Sequence, residues 1–162
     1  MEDRKAALLP VPYFHWVFTV PHDLNPLILA HQRPLLILLL NAASHTLVQF
    51  GHRHLGGQIG CTMVLHTWDQ TLGAHCHVHC LMAAGVLAAD GTRWIAADPR
   101  FLFPVRALSP VLRGKFCGAL LQGGGSALRM QGLPTLGTPE EVKRLQAQLY
   151  TQDWGVYAKA PW

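Results

Sequence analysis

At 162 residues and 17.9 kDa the chain can bury one hydrophobic core but is short for two, so one domain over residues 1–162 is expected. Its 50% hydrophobic and 14% charged residues exclude an intrinsically disordered chain and leave few charges to coat a surface. The net charge of +4, from 13 basic and 9 acidic residues, is compatible with a polyanionic partner but too modest to identify one.

The first residues, MEDRK, mix acid with base, unlike a secretory signal. The longest unbroken apolar run spans residues 35–40 and closes at Asn41. That is far short of the roughly 20 residues a membrane span requires, so a soluble cytoplasmic protein with no membrane partner is expected. The four cysteines, Cys61, Cys76, Cys80 and Cys117, have no CxxC spacing. This argues against a cysteine zinc site and for reduced, mostly buried thiols.

YFHWVFTV, at residues 13–20, is aromatic and β-branched and predicts a first strand, stopped by Pro21. Pro34 opens an apolar run in which Leu36, Leu39, Leu40, Ala43, Leu47 and Phe50 fall near helical spacing, the mark of a core-facing helix. After Gly56 and Gly57, QIGCTMVLHTW predicts a second strand, whose near-continuous apolar character implies a central place in its sheet. Residues 69–74 turn the chain, and HCHVHCLMAAG returns it as a third strand, paired with the second as a hairpin. Asp90 and Gly91 mark a tight turn before TRWIAA, a short fourth strand near an edge.

Ser109 and Pro110 read as an N-cap with proline at the first helical position, starting a helix that runs to residue 122. A break follows at residues 123–126. Thr138, Pro139, Glu140 and Glu141 then carry a capping box, and Val142, Leu145 and Leu149 form one stripe of a last helix. WGVYAK predicts a final strand. The expected fold class is α+β, an antiparallel sheet with helices packed on one face, of the split-βαβ, ferredoxin-like kind.

Ten histidines, at 15, 22, 31, 45, 52, 54, 66, 75, 77 and 79, all fall in the first half of the chain. Most are expected to be solvated or hydrogen-bonded structural residues. Three stand out by spacing. In an extended segment side chains alternate between faces, so His75, His77 and His79 share one face while Cys76, Val78 and Cys80 share the core-facing one. Two imidazoles about 6 to 7 Å apart along a strand can share a cation. A polar outer face that merely carries histidines accounts for the spacing equally well.

The runs LLPVPYFHWVFTVPHDLNPL, QIGCTMVLHTWDQTLGAHCHVHCLMAAGVL, FLFPVRALSPVLRGKF and DWGVYAK occur in that order over nearly the whole chain. Together they resemble successive blocks of the two-tyrosine HUH transposases of rolling-circle insertion sequences. The family's HUH element, histidine, hydrophobic residue, histidine, falls on His77, Val78 and His79. The resemblance implies an HUH-nuclease fold and a single Mg²⁺ or Mn²⁺ that polarises a scissile phosphate while a tyrosine attacks it. It implies single-stranded DNA, at transposon ends and target, as partner, and the bacterial cytoplasm as location. The phosphotyrosine it forms would conserve bond energy for strand rejoining.

His66, on the strand paired with residues 77–79, is the expected third metal ligand. Asp69 and Gln70 are rivals, because oxygen suits Mg²⁺ better than a third imidazole does, and an ordinary strand histidine is the plain alternative. His75 is expected to flank the site, and FTVP, residues 18–21, to lie beside it in the place of the family's first motif. Arg106, Arg113 and Lys115 gather around a helix start, where DNA phosphate contact and a solvated helix face are both ordinary readings.

The resemblance also implies a cysteine-rich zinc segment ahead of the LLPVPYFH block and a helix with nucleophilic tyrosines after the YAK block. Neither falls within these residues, and Tyr13, Tyr150 and Tyr157 match structural positions. The expectation is a core fragment that holds metal and single-stranded DNA but lacks the attacking hydroxyl. A non-cleaving single-stranded DNA-binding module and a metal hydrolase attacked by water are the rival functions. The oligomeric state is not legible in the sequence.

Overall fold

The computed structural model describes residues 8–69, 71, 73–121 and 136–159. Its strands are β1 (Tyr13–Thr19), β2 (Gly57–Gln58), β3 (Cys61–Trp68), β4 (Ala74–Ala83), β5 (Gly85–Ala88), β6 (Trp94–Ala96) and β7 (Gly155–Lys159). Its helices are α1 (Asn25–Ala30), α2 (Gln32–Phe50), α3 (Val105–Leu121) and α4 (Pro139–Thr151), and a π-helical turn, Gly51–Leu55, extends α2. β3, β4, β1 and β7 form an antiparallel four-stranded sheet in that order, and β2, β5 and β6 form a smaller one.

The main sheet has two chemically distinct faces because β1 and β4 alternate. Phe14, Trp16 and Phe18 of β1 and Cys76, Val78, Cys80 and Met82 of β4 are buried on one face. α2 lays Leu35, Leu38, Leu39, Ala42, Ala43, Leu47 and Phe50 against that face, the i, i+3, i+4 spacing of an apolar stripe. α3 adds Leu108, Leu112, Phe116 and Leu120 to the same core. At roughly 1.5 to 3 kcal/mol for each large apolar side chain fully buried, this layer dominates the energetics of the fold. The hydroxyl of Thr46, buried within the α2 stripe, donates to the Ala42 carbonyl at 2.7 Å and so leaves no unsatisfied donor.

The α+β class, the single helix-covered face, the β3–β4 hairpin and the closing strand agree with the sequence expectation. So does the capping box of α4: the Thr138 hydroxyl accepts from the Glu141 amide, and the Glu141 carboxylate accepts from the Thr138 amide at 2.6 Å. Gly91 adopts a left-handed φ of 71° in the expected tight turn, which the Asp90 carboxylate closes by accepting from the Thr92 amide at 3.0 Å.

Several elements depart from expectation. β3 is an edge strand and not a central one. Its apolar Val64 and Trp68 lie on the open face, 51% and 61% exposed, so an apolar run here does not signal burial on both sides. The TRWIAA strand, β6, pairs with β5 in the second sheet. α3 begins at Val105, four residues before the expected N-cap, and takes Pro110 into its interior. Ser109 does not cap it, because its hydroxyl donates to the Trp154 carbonyl at 2.7 Å. Proline there forfeits one backbone bond, and the burial of Leu108 in the preceding turn offsets the loss.

α1 was not expected at all: its six residues are too few to show a helical period. The buried stripe of α2 is also rotated relative to expectation, with Leu35 and Leu38 inside and Leu36 and Leu40 at its margin. Together with its π-helical turn, α2 makes a 24-residue stretch, Gln32–Leu55, long and apolar enough to cross a membrane, in contrast to the six-residue run read from the sequence. Its inner face is instead occupied by the sheet. The expected break at residues 123–126 lies outside the described residues.

Burial on the core face makes the thiols inert. It pushes Cys76 and Cys80 up, and pushes Cys117 up to about 12. A thiol reagent added to the native chain is therefore expected to modify half-buried Cys61 first and to reach Cys76, Cys80 and Cys117 only as denaturant unfolds the protein. Rapid native labelling of Cys76 or Cys80 would show that the β4 register is wrong.

Candidate metal centre

On the open face of the sheet the same alternation sets out imidazoles. The β3–β4 register pairs His66 directly with His77 and sets Val64 opposite His79, so His66 is the direct neighbour of one histidine and the diagonal neighbour of the other. The three rings close on one another: His66 to His79 is 4.5 Å between centroids, His77 to His79 4.8 Å and His66 to His77 5.2 Å. One nitrogen from each lies within 4.8 Å of the others, with His77 buried, His79 half-buried and His66 exposed.

Hydrogen bonds fix which nitrogens are available. The Nδ1 of His77 lies 2.9 Å from the His75 carbonyl, which can only accept, so this nitrogen carries the proton and Nε2 carries a lone pair. The Nδ1 of His79 is engaged by His15 Nε2 at 2.7 Å, with the two ring planes parallel to within 6°. This leaves the Nε2 atoms of His77 and His79 facing each other at 3.1 Å. Bonds of about 2.1 Å to a common cation, at right or tetrahedral angles, set ligand nitrogens roughly 3.0 to 3.4 Å apart, so the pair fits a shared ion.

The donor set is all imidazole, which suits Mn²⁺ and its transition-metal neighbours better than the oxygen-seeking Mg²⁺. The environment of His79 favours its neutral, ligating form. Burial, then the neighbouring His77, His66 and His15, hold His79 below the ordinary imidazole value. His75 is lowered likewise, by burial and then by His77 and His22, with the Asp69 charge opposing.

His75 stands beside this trio, its ring 4.8 Å from that of His77 and its Nδ1 3.2 Å from His22 Nε2. An open cleft of about 450 Å³ is lined by His66, Trp68, Asp69, His75, His77 and His79. Asp69 is spent on the hairpin turn: its Oδ1 accepts from the Thr71 amide, the Thr71 hydroxyl and the Gly73 amide, at 2.7 to 2.9 Å. Gln70 lies outside the described residues. Of the FTVP run, Thr19 pairs with His77 across β1 and β4, while Phe18 belongs to the core.

The basic trio is not brought to this face. Arg106, Arg113 and Lys115 lie on α3, in the layer on the opposite side of the sheet. Arg113 donates to the Tyr150 carbonyl at 2.9 Å and its guanidinium sits 4.8 Å from the centre of the Tyr150 ring. Lys115 is half-buried, and burial together with Arg53 lowers its pKa. Sequence reasoning missed His15 and His22. The signal for His15 was available, since Phe14, Trp16 and Phe18 mark the core face of the first strand and leave His15 on the other.

An antiparallel α+β sheet that carries three convergent imidazoles on the face no described helix covers defines a candidate metal-dependent protein. Comparison with known sequences narrows the class. Residues 60–162 match the transposase family model Y2_Tnp, described as "Putative transposase", and the chain belongs to this family. It is 40% identical over 167 residues to "Putative transposase y4qJ" of Sinorhizobium fredii, an alignment that covers 99% of this chain and 42% of that protein. It is also 38% identical over 80 residues to "Transposase for insertion sequence element IS801" of Pseudomonas savastanoi pv. phaseolicola, covering 49% of this chain and 19% of that one. The chain thus spans less than half the length of either relative.

His15 offers a test of the geometry that leaves the three candidate ligands in place. Groups that orient a metal-bound imidazole are worth about 10- to 100-fold in metal affinity. His15→Ala is expected to weaken Mn²⁺ binding within that range, measured by calorimetric titration, with the melting temperature little changed. Unaltered affinity would show that His15 does not orient His79.

Proposed function

We propose that this chain is the metal-holding core of a two-tyrosine HUH transposase of a rolling-circle insertion sequence. In this reading it lays single-stranded DNA from transposon ends and target across the open sheet face, and His66, His77 and His79 hold a divalent cation against the scissile phosphate. One observation carries the reading: the Nε2 atoms of His77 and His79 face each other at 3.1 Å, with the third imidazole alongside. Membership of the transposase family supplies the DNA partner.

A cation bound there would polarise a phosphate oxygen and stabilise the charge that develops on it. The chain's own residues supply the rest of the arrangement. The His75 carbonyl and the His15 ring hold the His77 and His79 imidazoles in the orientation that turns both Nε2 atoms inward. His66, exposed on the edge strand, closes the group on its solvent side. Arg106, Arg113 and Lys115, away from this face, act in this reading as outlying contacts to the DNA backbone.

Strand transfer also needs an attacking hydroxyl. The Tyr13 hydroxyl accepts from the Leu9 amide at 2.9 Å, and Tyr150 packs against Arg113. Tyr157 shares the histidine face but pairs with Val17, which in turn pairs with His79, so two strand spacings of roughly 4.8 Å separate it from the site. The proposal therefore assigns the nucleophilic tyrosines to sequence beyond these 162 residues.

Titration with Mn²⁺ is expected to show one ion per chain, lost in the His77→Ala, His79→Ala double variant and weakened in His66→Ala. Binding to labelled single-stranded oligonucleotide should strengthen with Mn²⁺ and fall steeply with salt. No covalent band is expected on a denaturing gel. Equal Mn²⁺ affinity in wild type and double variant would sink the metal assignment. A Mn²⁺-dependent covalent band that disappears in Tyr157→Phe would place the nucleophile inside this chain.

A further inference from the structure

We propose that Trp68 is a stacking platform for one unpaired nucleobase, seated in the cleft beside the three-histidine group. The proposal rests on the reading of that group as the site of action on single-stranded DNA. Trp68 is the last residue of β3, on the same face as His66, and its ring is 61% exposed although it is among the largest apolar groups in the chain. Of the other described tryptophans, Trp16 and Trp154 are buried and Trp94 is half-buried. An isolated exposed aromatic is unremarkable by itself. What distinguishes Trp68 is its place in the lining of the same cleft as His66, His77 and His79.

The cleft has the size and polarity of a nucleotide site. Its volume of about 450 Å³ falls within the range of pockets that hold small organic ligands. At one end are imidazoles suited to a cation, and hence to a phosphate. At the other are the indole and the Asp69 carboxylate, which is held below the usual carboxylate range by its bonds to Thr71 and then Gly73, and is therefore ionised. A fixed negative charge repels a phosphate but accepts hydrogen bonds from the N–H groups that every unpaired base carries, thymine's N3–H included. The charge pattern thus orders an incoming nucleotide, with its phosphate toward the histidines and its base toward Trp68.

The platform is also held in place from below. Trp68 pairs with Ala74 at the end of the hairpin, and the next amide, that of Asp69, donates to the Gly73 carbonyl at 2.9 Å. His66 and Trp68 are two residues apart, across a register shift in the β3–β4 pairing, and both line the cleft, so one nucleotide can span them. Stacking on an aromatic ring tolerates any base, since every base has a π-face, and it requires that the base be unpaired. Trp68 would therefore favour single strands over duplex without reading sequence.

The test uses the full chain with Mn²⁺ and compares wild type, Trp68→Ala and Trp68→Phe for binding to short oligo(dT), to an abasic oligonucleotide with the same number of phosphates, and to duplex. Loss of one base stack is expected to raise the Kd of Trp68→Ala for oligo(dT) on the order of tenfold, with Trp68→Phe close to wild type. Affinity for the abasic strand and the duplex should be the same in all three proteins, and so should Mn²⁺ affinity and melting temperature. Equal oligo(dT) affinity in wild type and Trp68→Ala, with normal Mn²⁺ binding, would overturn the stacking role and leave the metal centre standing. Equal losses on oligo(dT) and the abasic strand would also overturn it, by showing a backbone contact. Failure of the wild type to bind single strands at all would remove both the stacking role and the function it rests on.

Discussion

The structure depends on the two-faced character of β4. One run of alternating residues sends Cys76, Val78, Cys80 and Met82 under the helices and His75, His77 and His79 to the opposite side. Because the strand period is two, a shift of register by one residue would bury three imidazoles in an apolar core and expose the residues that hold α2 and α3. The core therefore fixes the register, and the register fixes the site. β1 enforces the same division from the other side, with Phe14, Trp16 and Phe18 in the core and His15 reaching His79.

The histidine face gathers six imidazoles into one connected group: His15, His22, His66, His75, His77 and His79. Within it, burial and then the neighbouring histidines hold His75 and His79 below the ordinary imidazole value. The His77 and His79 Nε2 atoms, which share a hydrogen bond at 3.1 Å, are also spaced to share one cation. The hairpin contributes by tying up Asp69, so the nearest carboxylate is committed to the turn and to the cleft wall and is not among the converging donors.

The division of faces also separates two kinds of positive chemistry. The histidines lie on the open sheet, while Arg106, Arg113 and Lys115 ride on a helix that faces the core with its other side. A strand of DNA held over the histidine site would meet imidazole, indole and carboxylate there, not a dense cationic patch.

Much of the fold was legible because it rests on local periodicity: the first strand, the hairpin, the histidine alternation and the α4 capping box all declare themselves within a few residues. The pairing of His66 with His77 was legible too, through the short turn read at residues 69–74 that joins their strands. What remained hidden was set by distant partners. Val64 and Trp68 look like core residues in the sequence and are exposed because the described helices pack only on the other face of the sheet. Pro110 looks like a helix start and lies inside α3 because the preceding turn buries Leu108 against the core. The sequence by itself determined which residues share a strand face. Only the tertiary structure decided which strands are neighbours, and so brought His15, 64 residues away, within 2.7 Å of His79, because pairing between distant strands leaves no period in the sequence.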